Sequence, residues 1–290
     1  LMKNLNLQYT EIENSLSTDK TPVFKKLLAS SFPKNKTKST LFVINFSGDS
    51  NASSASSLEK EISAVIASYT TGDEVLLKLE SSGGAVNAYG LATAQLQRLA
   101  KLKIPLTISV DRVAASGGYM MACIANKIIA SPFAMIGSIG VAAEMPNFHK
   151  LLDKVNVTYT SLTAGENKRL ITPYMDVTEL AKKQTQDLID HTHQLFKAHV
   201  SENRPLVDID KVATGGTFWG TDAMDKKLID EIQTSEDFLY SKSKTHRLLS
   251  ISWKQSPPTN ILKRALAASI DQVVQSVSSK INTPGILTKI

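Results

Sequence analysis

Two glycine pairs, Gly83-Gly84 and Gly117-Gly118, each follow a short apolar run that reads as a β-strand and precede a helix-like stretch. In a parallel α/β sheet the carboxyl ends of the strands are where ligands and reacting groups collect. Glycine turns the chain sharply, and without a Cβ its N–H can approach a bound carbonyl oxygen. Donors aimed at a developing oxyanion contribute roughly 2.7–4 kcal/mol each to an acyl-transfer step. Ser116, between Ala115 and Gly117 at the start of a helix, has the placement of a nucleophile. A helix N-cap is the commoner role for serine there, and a tight turn or anion cradle would equally use the glycines. Neither pair fits G-x-G-x-x-G or G-x-x-x-x-G-K-[ST], so a nucleotide site has little support.

A hydroxyl nucleophile requires a base. His149, His191, His193, His199 and His246 are the histidines available to a Ser-His-Asp arrangement. His191, His193 and His199 crowd one helix; positions i and i+2 point to different faces, so they make no metal pair and read as surface or amphipathic positions. Lysine is the other base, provided burial lowers its pKa. Lys168, in Gly165-Glu-Asn-Lys168 after an expected strand, is one option among many lysines. Cys123, seven residues beyond Ser116, reads as a small buried hydrophobe.

The elements that must position these groups alternate from Thr40 onward. Leu41–Phe46, Glu74–Leu79, Pro105–Val110, Lys127–Ala130 and Val155–Tyr159 read as strands. Between the first ones lie helix-like blocks carrying Leu58, Ile62, Val65, Ile66 and Tyr69, then Leu91, Ala92, Leu96 and Leu99. A third helix is expected from Ser116, and a Gly-broken loop through Gly137 and Gly140. Asp176 with Glu179 forms a plausible capping box for a long helix reaching about Val200. This alternation predicts βαβ units and a mostly parallel sheet. After Trp253, Pro257-Pro258 marks a boundary, and 259–281 read as an amphipathic helical extension. The expected organisation is a basic arm over 1–39, a main domain over 40–254 and the extension over 255–290.

The 290 residues are 42% hydrophobic and 21% charged, a globular profile that excludes disordered, collagenous and coiled-coil chains. One cysteine excludes a disulfide framework and a Cys-rich zinc site. The net charge of +6 is concentrated in Lys20, Lys25, Lys26, Lys34, Lys36 and Lys38, with no acid between Lys20 and Thr40. A solvated arm is the first reading, anionic lipid headgroups the second. Nucleic acid is not expected, since no binding module accompanies the lysines. No span is long and apolar enough for a membrane helix: the stretch from Ile128 to Ala143 is too short and is interrupted by Pro132, Gly137 and Gly140. No signal peptide opens the chain, and Leu1 before Met2 suggests that an upstream segment was removed.

The segments Leu79–Val86, Asp111–Lys127 and Ile136–Val141 together resemble the signal peptide peptidase A family of serine proteases. Tyr89-Gly-Leu-Ala, Gln95–Leu99, Met145-Pro-Asn-Phe and Thr192–Lys197 point to its SohB branch. The likeness runs from about Leu5 to Trp253. It implies a crotonase/Clp-protease-like α/β fold of repeated ββα units, and a membrane-anchored serine protease with a Ser-Lys dyad and no cofactor or metal. By this resemblance Ser116 is the nucleophile, Lys168 the base, Ser138 the hydroxyl that orients the lysine, and Gly84 and Gly117 the oxyanion donors. Where the family usually has Ser-Pro-Gly-Gly, this chain has Ser81-Ser82-Gly83-Gly84, which predicts a looser turn.

The resemblance further implies unfolded or membrane-derived peptide substrates such as remnant signal peptides. It implies homo-oligomers whose sites take residues from neighbouring protomers, and a missing N-terminal anchor in a bacterial inner membrane with the domain on the periplasmic side. The alternatives are an acyl-CoA-type crotonase activity and a catalytically silent scaffold that binds membrane proteins.

Overall fold

The computed structural model describes residues 38–165 and 171–253. The alternating blocks become β1 (Ser39–Gly48), α1 (Ala55–Ser68), β2 (Glu74–Ser81), α2 (Val86–Lys101) and β3 (Leu106–Val110). Next come β4 (Val113–Ala115), α3 (Gly117–Ala122), β5 (Lys127–Ala130) and β6 (Met135–Gly137). Helices α4 (His149–Lys154), α5 (Glu179–Asn203) and α6 (Ile209–Val212) precede β7 (Thr217–Trp219) and α7 (Gly220–Asp225). The described chain ends with β8 (Glu231–Ile232), α8 (Ser235–Ser243) and β9 (His246–Ile251).

These strands form one sheet that forks at β2. Val75–Lys78 of β2 pair with Leu106–Ser109 of β3, while Ser81 pairs with Ala114 of β4. One branch continues through β5 to β8, the other through β6 to β7. β1 holds the opposite edge of β2, and β9 pairs with β1. Every pairing is parallel except β6 with β7. The α/β class and mostly parallel sheet expected from the sequence are therefore present.

Packing explains the apolar runs. Phe42, Ile44 and Phe46 of β1 share a core with Leu58, Ile62 and Val65 of α1 and Leu96 and Leu99 of α2. The other face, through Leu41, Val43, Leu76 and Ile129, packs on Phe238 of α8. Strands covered on both faces lose the alternation of a half-exposed strand. Each buried Leu or Ile contributes roughly 1.5–3 kcal/mol.

Several expectations are corrected. Val155–Tyr159 is no strand: the segment is exposed, Asn156 has φ 56°, and the Val155 and Val157 N–H groups both return to Leu152 O in a helix-ending turn. The cap of α5 is Thr178, whose hydroxyl accepts from Ala181 N–H at 3.1 Å, rather than the Asp176–Glu179 pair. Three-residue strands β4 and β6 lie where a loop or helix start was expected, and β9 was not anticipated. Of the expected arm and extension, residues 1–37 and 255–290 lie outside the described residues.

Candidate active site

Strand register brings the candidate groups together. Ser81 at the end of β2 is level with Ala114 of β4, and Ala115 is level with Gly137 of β6. Three neighbouring strands thus release their chains side by side, β2 into Gly83-Gly84, β4 into Ser116 and β6 into Ser138. The Ser116 N–H donates to Gly137 O at 2.8 Å, which ties the second exit to the third. Ser138 N–H donates to Gly216 O at 2.7 Å, and its hydroxyl lies 3.4 Å from Gly215 O.

Ser116 stands at φ 52° and ψ −120°, a conformation that costs a non-glycine residue about 1–3 kcal/mol. A strained turn of this kind between strand and helix lifts a serine hydroxyl out of the chain's path. As the residue before α3 it makes no side-chain capping bond, so the ordinary N-cap reading does not describe it.

The glycines let two backbones meet. At Gly83, with φ 92°, a Cβ would stand 2.7 Å from both Gly117 N and Ser116 Cβ. At Gly117 a Cβ would run into the ring of Tyr89. Within the described residues the N–H groups of Gly84 and Gly117 have no hydrogen-bond acceptor, and both glycines share a pocket wall with Ser116.

Beneath them runs a hydrogen-bonded chain that the sequence reading missed. Gly83 N–H donates to Ser81 Oγ at 3.1 Å, Ser81 Oγ lies 2.5 Å from Tyr89 Oη, and Tyr89 Oη donates to Asp49 O at 2.8 Å. One direction of donation satisfies every member, with Ser81 donating to Tyr89. This chain pins the turn whose usual proline is absent. Burial pushes the Tyr89 phenol above its ordinary range, so it remains a neutral donor, against the opposing effect of the Ser81 bond. The available signal was a tyrosine on the apolar face of α2, since a buried phenol requires a partner.

Two recesses meet at Ser116. The smaller, of about 10 Å³, is walled by Val86, Met120, Val141 and Phe196 beside Gly84 and Gly117. The larger, of about 370 Å³, runs past Ser138, Gly140, His193, Thr214 and Gly215. Ser116 and Ser138 therefore face one cleft. Lys168 lies outside the described residues.

Helix α5 roofs both recesses, docked by buried Phe196 and Val200 and by His199, whose Nε2 lies 3.0 Å from Met120 O. His193, which lines the larger recess, and His199 are thus half-buried on the docked face of α5, while His191 is exposed. The foot of α5 is held by Arg204, which donates to both oxygens of Asp230 at 2.9 and 2.6 Å. Burial pushes the Asp230 carboxyl up, but the Arg204 bond and charge and the Ile128 N–H outweigh it and hold the group below its usual range. Cys123 is fully buried and its thiol is pushed up to about 12 by desolvation, in keeping with an inert hydrophobe. No cluster of three or more metal-binding side chains occurs among the described residues, and no described helix is long and apolar enough to cross a membrane.

The sequence matches Peptidase family S49 over residues 98–249 and Peptidase family S49 N-terminal over residues 2–96. The chain belongs to peptidase family S49. The S49 chain is 48% identical over 221 residues to Probable protease SohB of Haemophilus influenzae, covering 76% of itself and 63% of that protein. It is 49% identical over 216 residues to the protein of the same name from Buchnera aphidicola subsp. Acyrthosiphon pisum, covering 74% and 64%. It therefore spans less than two thirds of the length of either relative. Similarity extends at 33% identity to Serine protease SPPA, chloroplastic, of Arabidopsis thaliana, over 54% of this chain and 24% of that one.

Proposed function

We propose that this S49 chain is a serine endopeptidase whose Ser116 and Lys168 act as a dyad on unfolded or membrane-derived peptides, remnant signal peptides among them. The observation that carries this reading is the strained, uncapped Ser116 beside the unpartnered amides of Gly84 and Gly117. Neutral Lys168 takes the Ser116 hydroxyl proton as Oγ attacks the scissile carbonyl. The Gly84 and Gly117 N–H groups hold the oxyanion, and Lys168 returns the proton to the leaving amine. Water, deprotonated by the same lysine, then releases the acyl group. Ser138, in the cleft with Ser116, orients the lysine.

A lysine that titrates near about 10.4 in water acts as a base only when burial lowers it by several units. Activity is then expected to rise through neutral pH toward the alkaline side. The small recess beside Ser116 has room for about one methyl-sized group, which favours alanine-like side chains at the cleavage point.

Copies of the chain are proposed to associate, with sites shared between protomers, at a bacterial inner membrane with the domain on the periplasmic side. Exposed Leu151, Val155, Val157, Leu162, Leu188 and Leu195 support association. Labelling with a fluorophosphonate tests the chemistry: the intact chain is expected to be modified at Ser116, and Ser116→Ala to be unmodified. Absence of labelling in the intact chain, or equal labelling of the variant, contradicts a serine nucleophile.

A further inference from the structure

The larger cleft carries one group that the dyad leaves without a task. His193 forms part of its wall together with Ser116, Ser138, Gly140, Val141, Ala142, Thr214 and Gly215. Its Nε2 is shielded from bulk water and has no hydrogen-bond partner among the described residues. Buried polar atoms in folded proteins are paired in the great majority of cases, and one left open beside a reactive hydroxyl marks a place for a ligand group. The placement is fixed rather than incidental. Phe196, His199 and Val200, within two turns along α5, are docked onto the body of the protein, and His199 binds the Met120 carbonyl of the helix that begins at the nucleophile. Thr192, the residue before His193, lines the small recess on the other side of Ser116. Consecutive residues of one helix thus wall the two recesses that meet at the nucleophile.

The chemistry of the wall selects the ligand group. Among the described lining residues the polar groups apart from His193 are hydroxyls and backbone, with no carboxylate, lysine or arginine. These described residues offer no charge partner for an acidic or basic side chain, and the proposed base, Lys168, acts uncharged. The polar group that every peptide brings, whatever its sequence, is its main-chain amide. We propose that His193 is a substrate-binding residue, whose imidazole turns out of its shielded position so that Nε2 hydrogen-bonds to the main chain of a peptide lying in this cleft beside Ser116. The assignment rests on the endopeptidase reading for its ligand, but it concerns binding and not proton transfer with Ser116.

Peptide affinity separates the two ideas. Ser116→Ala and the double variant Ser116→Ala/His193→Ala are titrated with a fluorescein-tagged, alanine- and leucine-rich peptide of about ten residues, with anisotropy as the readout. The double variant is expected to bind at least about tenfold more weakly, and Ser116→Ala/His193→Gln, which keeps a side-chain amide nitrogen, to recover most of that loss. With Ser116 present, His193→Ala is expected to raise KM for the peptide more than it lowers kcat. Its labelling by a small fluorophosphonate, which does not fill the cleft, is expected to slow far less than peptide cleavage. Equal affinity with and without His193 overturns the proposal. So does labelling that slows as much as cleavage, which would make His193 a base, or lost binding that tracks a lowered melting temperature and is not recovered by glutamine. If the intact chain neither labels nor cleaves while binding still depends on His193, the endopeptidase reading fails and the contact stands.

Discussion

Ser116 and Tyr89 show how single residues set this site. Ser116 holds a backbone conformation that glycine adopts without penalty, yet carries a side chain that makes no cap bond. Ser116→Gly is therefore expected to abolish phosphonate labelling while making the fold more stable than Ser116→Ala does, by about 1 kcal/mol after glycine's own entropic cost. Urea midpoints of the two variants decide this, and equal midpoints would contradict strain at the position. Tyr89 is read through its partners. Tyr89→Phe takes the hydroxyl from between Ser81 and the Asp49 carbonyl, and losing such a buried bond costs about 1–3 kcal/mol. Because Ser81 also receives the Gly83 N–H, cleavage is expected to fall with stability. The effects of Tyr89→Phe and Ser81→Ala should not add in a double-mutant cycle, since both break one chain of bonds. Full additivity would mean that the chain does not act as a unit.

At the scale of elements, the decisive arrangement is the fork of β2, which sets three strand ends side by side. The long strands and the helices α1 and α2 were readable because apolar runs and helical spacing persist over many residues. The fork was not, because β4 and β6 are three residues each and carry no periodicity of their own. Val155–Tyr159 has the composition of a strand but pairs with no strand among the described residues, and a strand exists only by pairing. Ser116 and the glycine pairs proposed for the site could be picked out from their places after strands, and strand register sets them side by side. The role of His193 depends on where α5 comes to rest, which no local pattern records.

Glu61 joins two distant elements: 7% exposed on α1, it accepts the Trp253 N–H beyond β9 at 2.8 Å. Burial raises its carboxyl to about 7, opposed by the Trp253 bond, against about 4.5 for an ordinary glutamate. The folded state holds this proton more tightly than the unfolded state. The penalty is therefore absent below about 4.5, grows as pH rises, and reaches about 3 kcal/mol above 7. Glu61→Gln, which keeps an acceptor for Trp253, is expected to gain stability over the native chain at pH 8 and little at pH 4.5. A constant difference across that range, measured by urea unfolding, would contradict a buried ionising carboxyl.

At the scale of the whole molecule, the described residues hold Ser116, the Gly84 and Gly117 amides and Ser138 around one cleft, while Lys168, the proposed base, lies outside them. Exposed apolar side chains on α5 and on the segment before it fit a surface that another copy covers. If sites are shared, mixing Ser116→Ala with Lys168→Ala chains is expected to recover part of the native activity. No recovery after verified subunit exchange would show that each chain builds its own site. The most direct measurement of the dyad is hydrolysis of an unfolded peptide by the native chain, Ser116→Ala and Lys168→Ala across pH 5 to 10. The native chain is expected to cleave with a rate that climbs from neutral toward alkaline pH, and both variants to lose at least about a hundredfold at every pH. An acidic optimum lost above pH 8, or a Lys168→Ala chain as active as the native one, would contradict a lysine-activated Ser116.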